Sequence, residues 1–232
     1  MNVIYRNILL VLYLFLLSSC TIFQTSNLPE IIDRQPMSES TRRQIQQRCE
    51  QNFFQGHYQF VHSIVFELAN GQGATVIGVT VLDGETLKTG LLGVEGFVLF
   101  EAVLTKGKQL VVNRALPPFD NSEFAAGLMR DVQILFRAPS DENLLIGRLA
   151  DGAPICRYFQ QEDQITDIIV NTDGSSRVNV YDPDYEHIRS FITGPSIAVN
   201  GKMIPETIEF EAHGLRGYTL KTTLISADKI IQ

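Results

Sequence analysis

A chain of 232 residues with 26 acidic and 19 basic side chains carries a net charge of −7. Such a balance, without a basic patch, argues against nucleic acid as a partner and against capture by anionic lipid through charge alone. The length suits one domain with a substantial core, and without tryptophan its bulky apolar surface must come from 14 Phe and 7 Tyr.

Residues 1–19 read as a removable export signal. Arg6 supplies a short positive start, Ile8–Leu17 is an unbroken apolar run, and Ser18-Ser19 follows as a small polar pair. The run is about half of the ~20 apolar residues that span a bilayer, so a permanent transmembrane helix is not expected. Leu17-Ser18-Ser19-Cys20 resembles the bacterial lipobox, whose cysteine is acylated and becomes the first mature residue. Cys20 is therefore the expected lipidation site, and membrane lipid the partner it engages. More than one acyl chain on that residue makes a stable anchor, since a single chain holds a protein only marginally. Thr21 stands where an Asp would resemble the inner-membrane retention signal. The expected location is thus the outer membrane, lipid-anchored and facing the periplasm. The competing reading is a soluble secreted protein with a stray cysteine.

Residues 20–37, with Thr, Ser, Asn, Pro29 and Pro36, read as a lipidated tether, and residues 38–232 as a single domain. A helix is predicted from about Ser40 to Phe53, with Arg42, Arg43, Arg48 and Glu50 on its polar side and Gly56 at its end. From His57 the period becomes two, with Tyr58, Phe60, His62, Ile64, Phe66 and Leu68 on one face. Asn70-Gly71-Gln72-Gly73 reads as a hairpin turn. Strands are predicted at Thr75–Leu82, Glu85–Leu92, Phe97–Leu104 and Gln109–Ala115, and their short connections require an antiparallel meander. Pro117-Pro118 interrupts it. Asp120 and Glu123, at capping-box spacing, open a helix to Phe136 with Phe124, Leu128, Val132 and Leu135 as its apolar stripe. Beyond Pro139, strands are predicted at Leu144–Leu149, Ile155–Phe159, Ile165–Asn171, Arg177–Tyr181, His187–Ile192, Thr207–His213 and Tyr218–Ser226. Two helices cannot cover both faces of so long a sheet. The fold class expected is mainly β (α+β): a curved antiparallel half-barrel with helices covering the concave face.

Two cysteines remain in the mature chain. An oxidising compartment permits a Cys49–Cys156 disulfide, and two buried unpaired thiols are the other reading. No nucleophile elbow, zinc helix, Cys-x-x-Cys pair or phosphate loop is present, so a non-enzymatic role is expected. Asp182-Pro-Asp184-Tyr-Glu186-His187 is the one dense run of metal-ligand types. It lacks the following Gly and distant Glu of a calcium loop and reads as a turn, so neither metal nor cofactor is expected. His57 and His62 fall on opposite faces of an alternating strand, which leaves His62 as a core or cavity residue.

Three stretches carry a family resemblance: Leu91-Leu-Gly-Val-Glu-Gly-Phe-Val-Leu-Phe100, Leu116-Pro-Pro-Phe119 and Gly127-Leu-Met-Arg-Asp-Val-Gln-Ile-Leu-Phe136. The closing Glu209–Leu224 segment, with His213-Gly214 and Tyr218-Thr-Leu220, fits with them. Together they resemble the lipoprotein-localisation carriers of the LolA and LolB type, and more narrowly an uncharacterised family of outer-membrane lipoproteins of that fold. The resemblance implies an open β-barrel whose helical lid shields an apolar cavity for acyl chains. It also implies an apolar residue on a protruding loop that meets the membrane, which here is Val94. The chain departs from that pattern by placing Glu95 beside it.

With the strand alternation, the resemblance sets two readings side by side. The first is a membrane-anchored protein whose cavity binds or transfers lipid or acylated lipoprotein cargo. Its expected walls are Phe60, Ile64, Phe66, Val98, Phe100, Phe124, Leu128 and Val132. The second is an envelope assembly or structural module with a filled core that binds a protein partner. A cavity of several hundred Å³ favours the first, and a solid interior with an exposed apolar patch favours the second.

Overall fold

The alternating run that begins at Tyr58 is paired on both sides. In the computed structural model, which describes residues 28–32, 37–105, 109–139, 143–160, 164–214 and 217–230, this run is β1 (Tyr58–Leu68). Residues 1–19 and Cys20 lie outside the described residues. One neighbour of β1 is β2 (Gly73–Asp83), reached through a tight turn in which Gly71 takes a φ of 79°. The other neighbour is β14 (Tyr218–Lys229), the last strand of the chain.

On one side the meander continues through β3 (Thr86–Gly93), β4 (Val98–Leu104) and β5 (Leu110–Ala115). On the other side lie β13 (Thr207–Ala212), β10 (His187–Thr193), β9 (Ser176–Tyr181), β8 (Ile165–Val170), β7 (Pro154–Phe159) and β6 (Leu144–Arg148). The twelve strands form one antiparallel sheet that runs from β5 to β6 without closing into a barrel. That is the expected fold class. β11 (Ser196–Val199) and β12 (Lys202–Pro205) form a separate hairpin that was not predicted. Its signal was available: Asn200 and Gly201 both take positive φ, 49° and 78°, the conformation for which Asn-Gly hairpins are selected.

Both helices among the described residues lie on the concave face. α1 (Glu39–Glu50) is capped by Ser38, whose hydroxyl accepts from the Thr41 amide at 3.2 Å. It ends three residues earlier than predicted, and Phe53 leaves the helix to bury in the core. α1 covers the β6–β8 half, where Ile45, Cys49, Cys156, Ile168, Val180 and Phe191 pack together. Cys49 and Cys156 are joined by a disulfide, with Cα atoms 6.4 Å apart. α2 (Ser122–Phe136) covers the β1–β5 half over Phe60, Leu87 and Phe100. Its cap is Asn121, which accepts from the Phe124 amide at 3.0 Å, so the capping position lies one residue beyond Asp120.

Two departures from the expected pattern shape the cavity wall and the tether. The β3–β4 register shifts, pairing Leu91 with Phe100 but Leu92 with Val98. The extra residue, Leu99, is a bulge that turns Val98 to the outer face with Leu92. Secondly, the stretch Leu28–Ile32, expected within a free tether, is docked on the convex face. The Ile32 amide donates to the Arg148 carbonyl at 2.8 Å, and Arg157 Nη2 donates to the Pro29 carbonyl at 2.9 Å. Three apolar residues in five give this part of the tether something to bury.

Candidate functional site

Between α2 and the β1–β4 sheet the packing is incomplete. A cavity of about 420 Å³ remains there, within the range of sites that hold small ligands. Its floor comes from Ile64, Phe66 and Leu68 of β1, with Leu220 of β14 beside them. Gly73, Ala74 and Val76 of β2 fill little space, and Leu91 and Leu99 close the far side. Leu128 of α2 and the Pro117–Phe119 loop form the roof. Gly78 contributes indirectly: a Cβ there would stand 2.5 Å from Ile64 Cδ1, so the missing side chain lets Ile64 lie close to the sheet.

The polarity of the site is one-sided. Gln72, on the β1–β2 turn, is the one polar side chain among the described lining residues, and none of them carries a charge. Such a lining accepts hydrocarbon and offers nothing to neutralise a buried carboxylate or phosphate. The opposite end of the sheet is filled. There the tilted rings of Phe54, Phe60 and Phe136 pack with centroids 4.6–6.1 Å apart, and Ile204 of the β11–β12 hairpin packs onto them. Lys202 secures the hairpin by donating to the Phe53 carbonyl at 2.8 Å. The void left there is about 30 Å³, roughly the volume of one water. His62 borders it, and burial pulls its pKa down to about 4, so it is neutral in the folded protein.

Of the expected wall residues, Ile64, Phe66 and Leu128 line the cavity. Phe60 and Phe100 have no exposed surface and belong to the solid core instead. Phe124 stands edge-on to Phe66 at 6.4 Å and 5.8 Å from Phe119, supporting the walls from behind, and Val132 packs into the same core. Val98 faces away because of the bulge, and Leu99 takes the inward place that alternation assigned elsewhere. No period-two pattern reveals that slip. The Pro117–Phe119 contribution was nearer to hand, since those residues belong to a stretch that carries the family resemblance.

The cavity lies toward the end of the sheet that carries the β1–β2, β3–β4 and β13–β14 turns. On the β3–β4 turn Val94 is 66% exposed and Phe97 is 68% exposed, two apolar side chains flanking Glu95 and Gly96. Phe97 was expected to open a strand, but β4 begins one residue later. Away from the cavity, Asp131 of α2 is buried and accepts hydrogen bonds from Arg189 Nε and the Tyr218 hydroxyl. Burial pushes the Asp131 carboxyl above the usual range, against the opposing pull of Arg189 and Tyr218. The Asp182–Glu186 run is a turn in which Asp182 Oδ1 accepts the amides of Asp184 and Glu186 at 3.0 and 2.9 Å.

The open antiparallel sheet with helices on its concave face is a LolA-like fold. Solved structures of similar fold include the following two. A LolA superfamily protein from Nitrosomonas europaea superposes with a TM-score of 0.58 at 10% identity, covering 82% of this chain and 94% of that one. A DUF1329 family protein from Desulfovibrio piger superposes with a TM-score of 0.50 at 10% identity, covering 83% of this chain and 93% of that one. At these identities the likeness is one of fold. No family model matches the sequence, and no curated protein matches it.

Proposed function

We propose that this chain is a non-enzymatic lipoprotein, anchored to the outer membrane through an acylated Cys20 and facing the periplasm. Its cavity binds or transfers the acyl chains of lipid or of acylated protein cargo. The observation that carries this reading is the void of about 420 Å³ whose described lining holds no charged side chain. Each methylene buried in such a place contributes ~0.8 kcal/mol, so a chain of about ten methylenes gains several kcal/mol beyond its ordering cost. Val94 and Phe97, exposed at the cavity end of the sheet, suit contact with the membrane that gives or receives the acyl chain.

Titration of a fluorescent acyl probe into protein lacking residues 1–20 tests the cavity. Micromolar binding is expected, weakened by Leu128→Asp in a variant that stays folded by circular dichroism and unchanged by Asp173→Lys on a distant exposed turn. Absence of binding at micromolar probe sinks the carrier reading in favour of the assembly module. The anchor has its own test: palmitate labelling of the full chain, abolished by Cys20→Ala.

A further inference from the structure

The docked stretch Leu28–Ile32 has a direction. Arg157, which holds the Pro29 carbonyl, is opposite Leu145 in the sheet, whereas Ile32 bonds to Arg148. Between them Ile31 occupies the space over Gly147: a Cβ on that glycine would stand 2.2 Å from Ile31 Cγ2. Residues 28–32 therefore run parallel to β6, from the level of Leu145 toward Arg148. The clasp is rigid as well. Arg157 Nε and Nη2 each lie 2.7 Å from the carboxylate of the fully buried Asp167, so the guanidinium is fixed before it meets Pro29.

The sheet register tells which end Leu28 approaches. Leu68 pairs with Tyr218, Tyr218 with Ala212, and the next amide, that of His213, bonds to Ile188. Tyr181 pairs with both His187 and Ile165, Ile165 with Phe159, and the adjacent Tyr158 with Leu144. Leu144 thus lies at the same end of the sheet as Leu68, the cavity and the Val94–Phe97 turn. The strap enters from that end.

Cys20 precedes Leu28 by eight peptide steps, a reach of at most about 29 Å at the extended limit of ~3.6 Å per residue. We infer that Leu28–Ile32 is an orienting strap: pinned along β6, it turns the cavity end of the domain toward the membrane that holds the Cys20 anchor. Released from β6, the same leash would extend to Ser38 and let the domain rotate freely. The inference rests on the lipid-anchor reading and adds to it the face that the domain presents.

The test uses mature lipidated protein in vesicles of phosphatidylethanolamine and phosphatidylglycerol doped with an energy-acceptor lipid. A donor dye is placed through Asp184→Cys or Thr172→Cys, at opposite ends of β9. Strong energy transfer is expected from position 184, and loss of transfer from position 172. A Gly/Ser insertion of about sixteen residues between Asn27 and Leu28 should equalise the two positions while circular dichroism stays unchanged. Ile31→Asp should act in the same direction. Flotation with the vesicles but equal transfer from both sites in the unaltered chain overturns the strap alone, as does a difference that survives the insertion. Failure to float, with no palmitate incorporated, overturns the anchor reading and the strap with it.

Discussion

The carboxylate of Asp131, buried on α2, is paired with the guanidinium of Arg189 on β10, and so ties the helix over one half of the sheet to a strand of the other half. The Tyr218 hydroxyl donates to the same carboxylate. Asp131→Ala leaves a half-buried guanidinium and a buried phenol without their acceptor, and the expected loss is about 3 kcal/mol. Asp131→Asn, which keeps an acceptor, should lose less. Urea denaturation at neutral pH measures both. A loss below ~1 kcal/mol for the alanine variant, the range of a surface pair, would count against a structural role.

The Cys49–Cys156 bond fastens α1 to β7 and closes a loop between residues 107 apart. In the chain-entropy picture a loop of ~100 residues is worth about 4.7 kcal/mol. Reduction should lower the unfolding free energy obtained from urea denaturation by up to about that figure, and Cys49→Ala with Cys156→Ala should reproduce it. Alkylation of the unreduced protein should modify neither cysteine. Two alkylated cysteines in that experiment would remove the bond and the predicted shift together.

Alternation was enough to read the large sheet, and the reason is physical. Most strands bury one face against helices, so Tyr58, Phe60 and Ile64 announce their side of β1 in sequence. β7 and β8 are buried on both faces and show mixed, nearly continuous apolar runs, which still mark strands by length and branching. The cavity was harder. Ile64, Phe66 and Leu128 were legible because they share an apolar face, but so do Phe60 and Phe100, and nothing in a pattern separates a wall from a filled core. That distinction depends on what stands around each ring: Phe54 and Phe136 pack against Phe60, whereas Phe66, edge-on to Phe124 on one side, has the small Ala74 as its β2 partner. Leu99 was hidden by a bulge, and the docking of Ile31 by the fact that its notch is a missing side chain on Gly147, far away in sequence.

His62 makes the fold sensitive to mild acid. It lies beside the Phe60 and Phe136 rings, with centroids 6.3 and 6.1 Å away, and burial lowers its pKa from 6.5 to about 4. Below about pH 6.5 the unfolded chain takes up a proton that the folded chain refuses. The stability this residue contributes is therefore complete above that pH and falls toward about pH 4, by up to about 1.4 kcal/mol per pH unit. His187, whose pKa burial also lowers, adds a slope of the same sign. His62→Phe should flatten the decline between about pH 6.5 and about pH 4.5 without abolishing it. Urea midpoints of the two proteins across that window give the comparison. Parallel curves would mean that His62 is protonated in the folded state.

Leu128 on α2 and Phe100 on the sheet beneath it should respond to substitution in different ways. Phe100 has no exposed surface and packs against Phe119 with ring centroids 5.7 Å apart. Phe100→Ala removes a core ring and should cost about 3–5 kcal/mol. Leu128 borders the void of about 420 Å³, so a larger side chain there has room to enter. Leu128→Trp should cost less than the ~1–3 kcal/mol typical of an overfilled core. It should nevertheless occupy space that an acyl chain needs. Displacing three or four methylenes at ~0.8 kcal/mol each weakens the probe's Kd on the order of 100-fold. Paired measurements decide the matter: a urea midpoint and an acyl-probe titration for each variant of the protein lacking residues 1–20. If Leu128→Trp unfolds the chain as readily as Phe100→Ala does, the space is not there to be filled. If it stays folded and binds the probe with undiminished affinity, the acyl chain lies elsewhere.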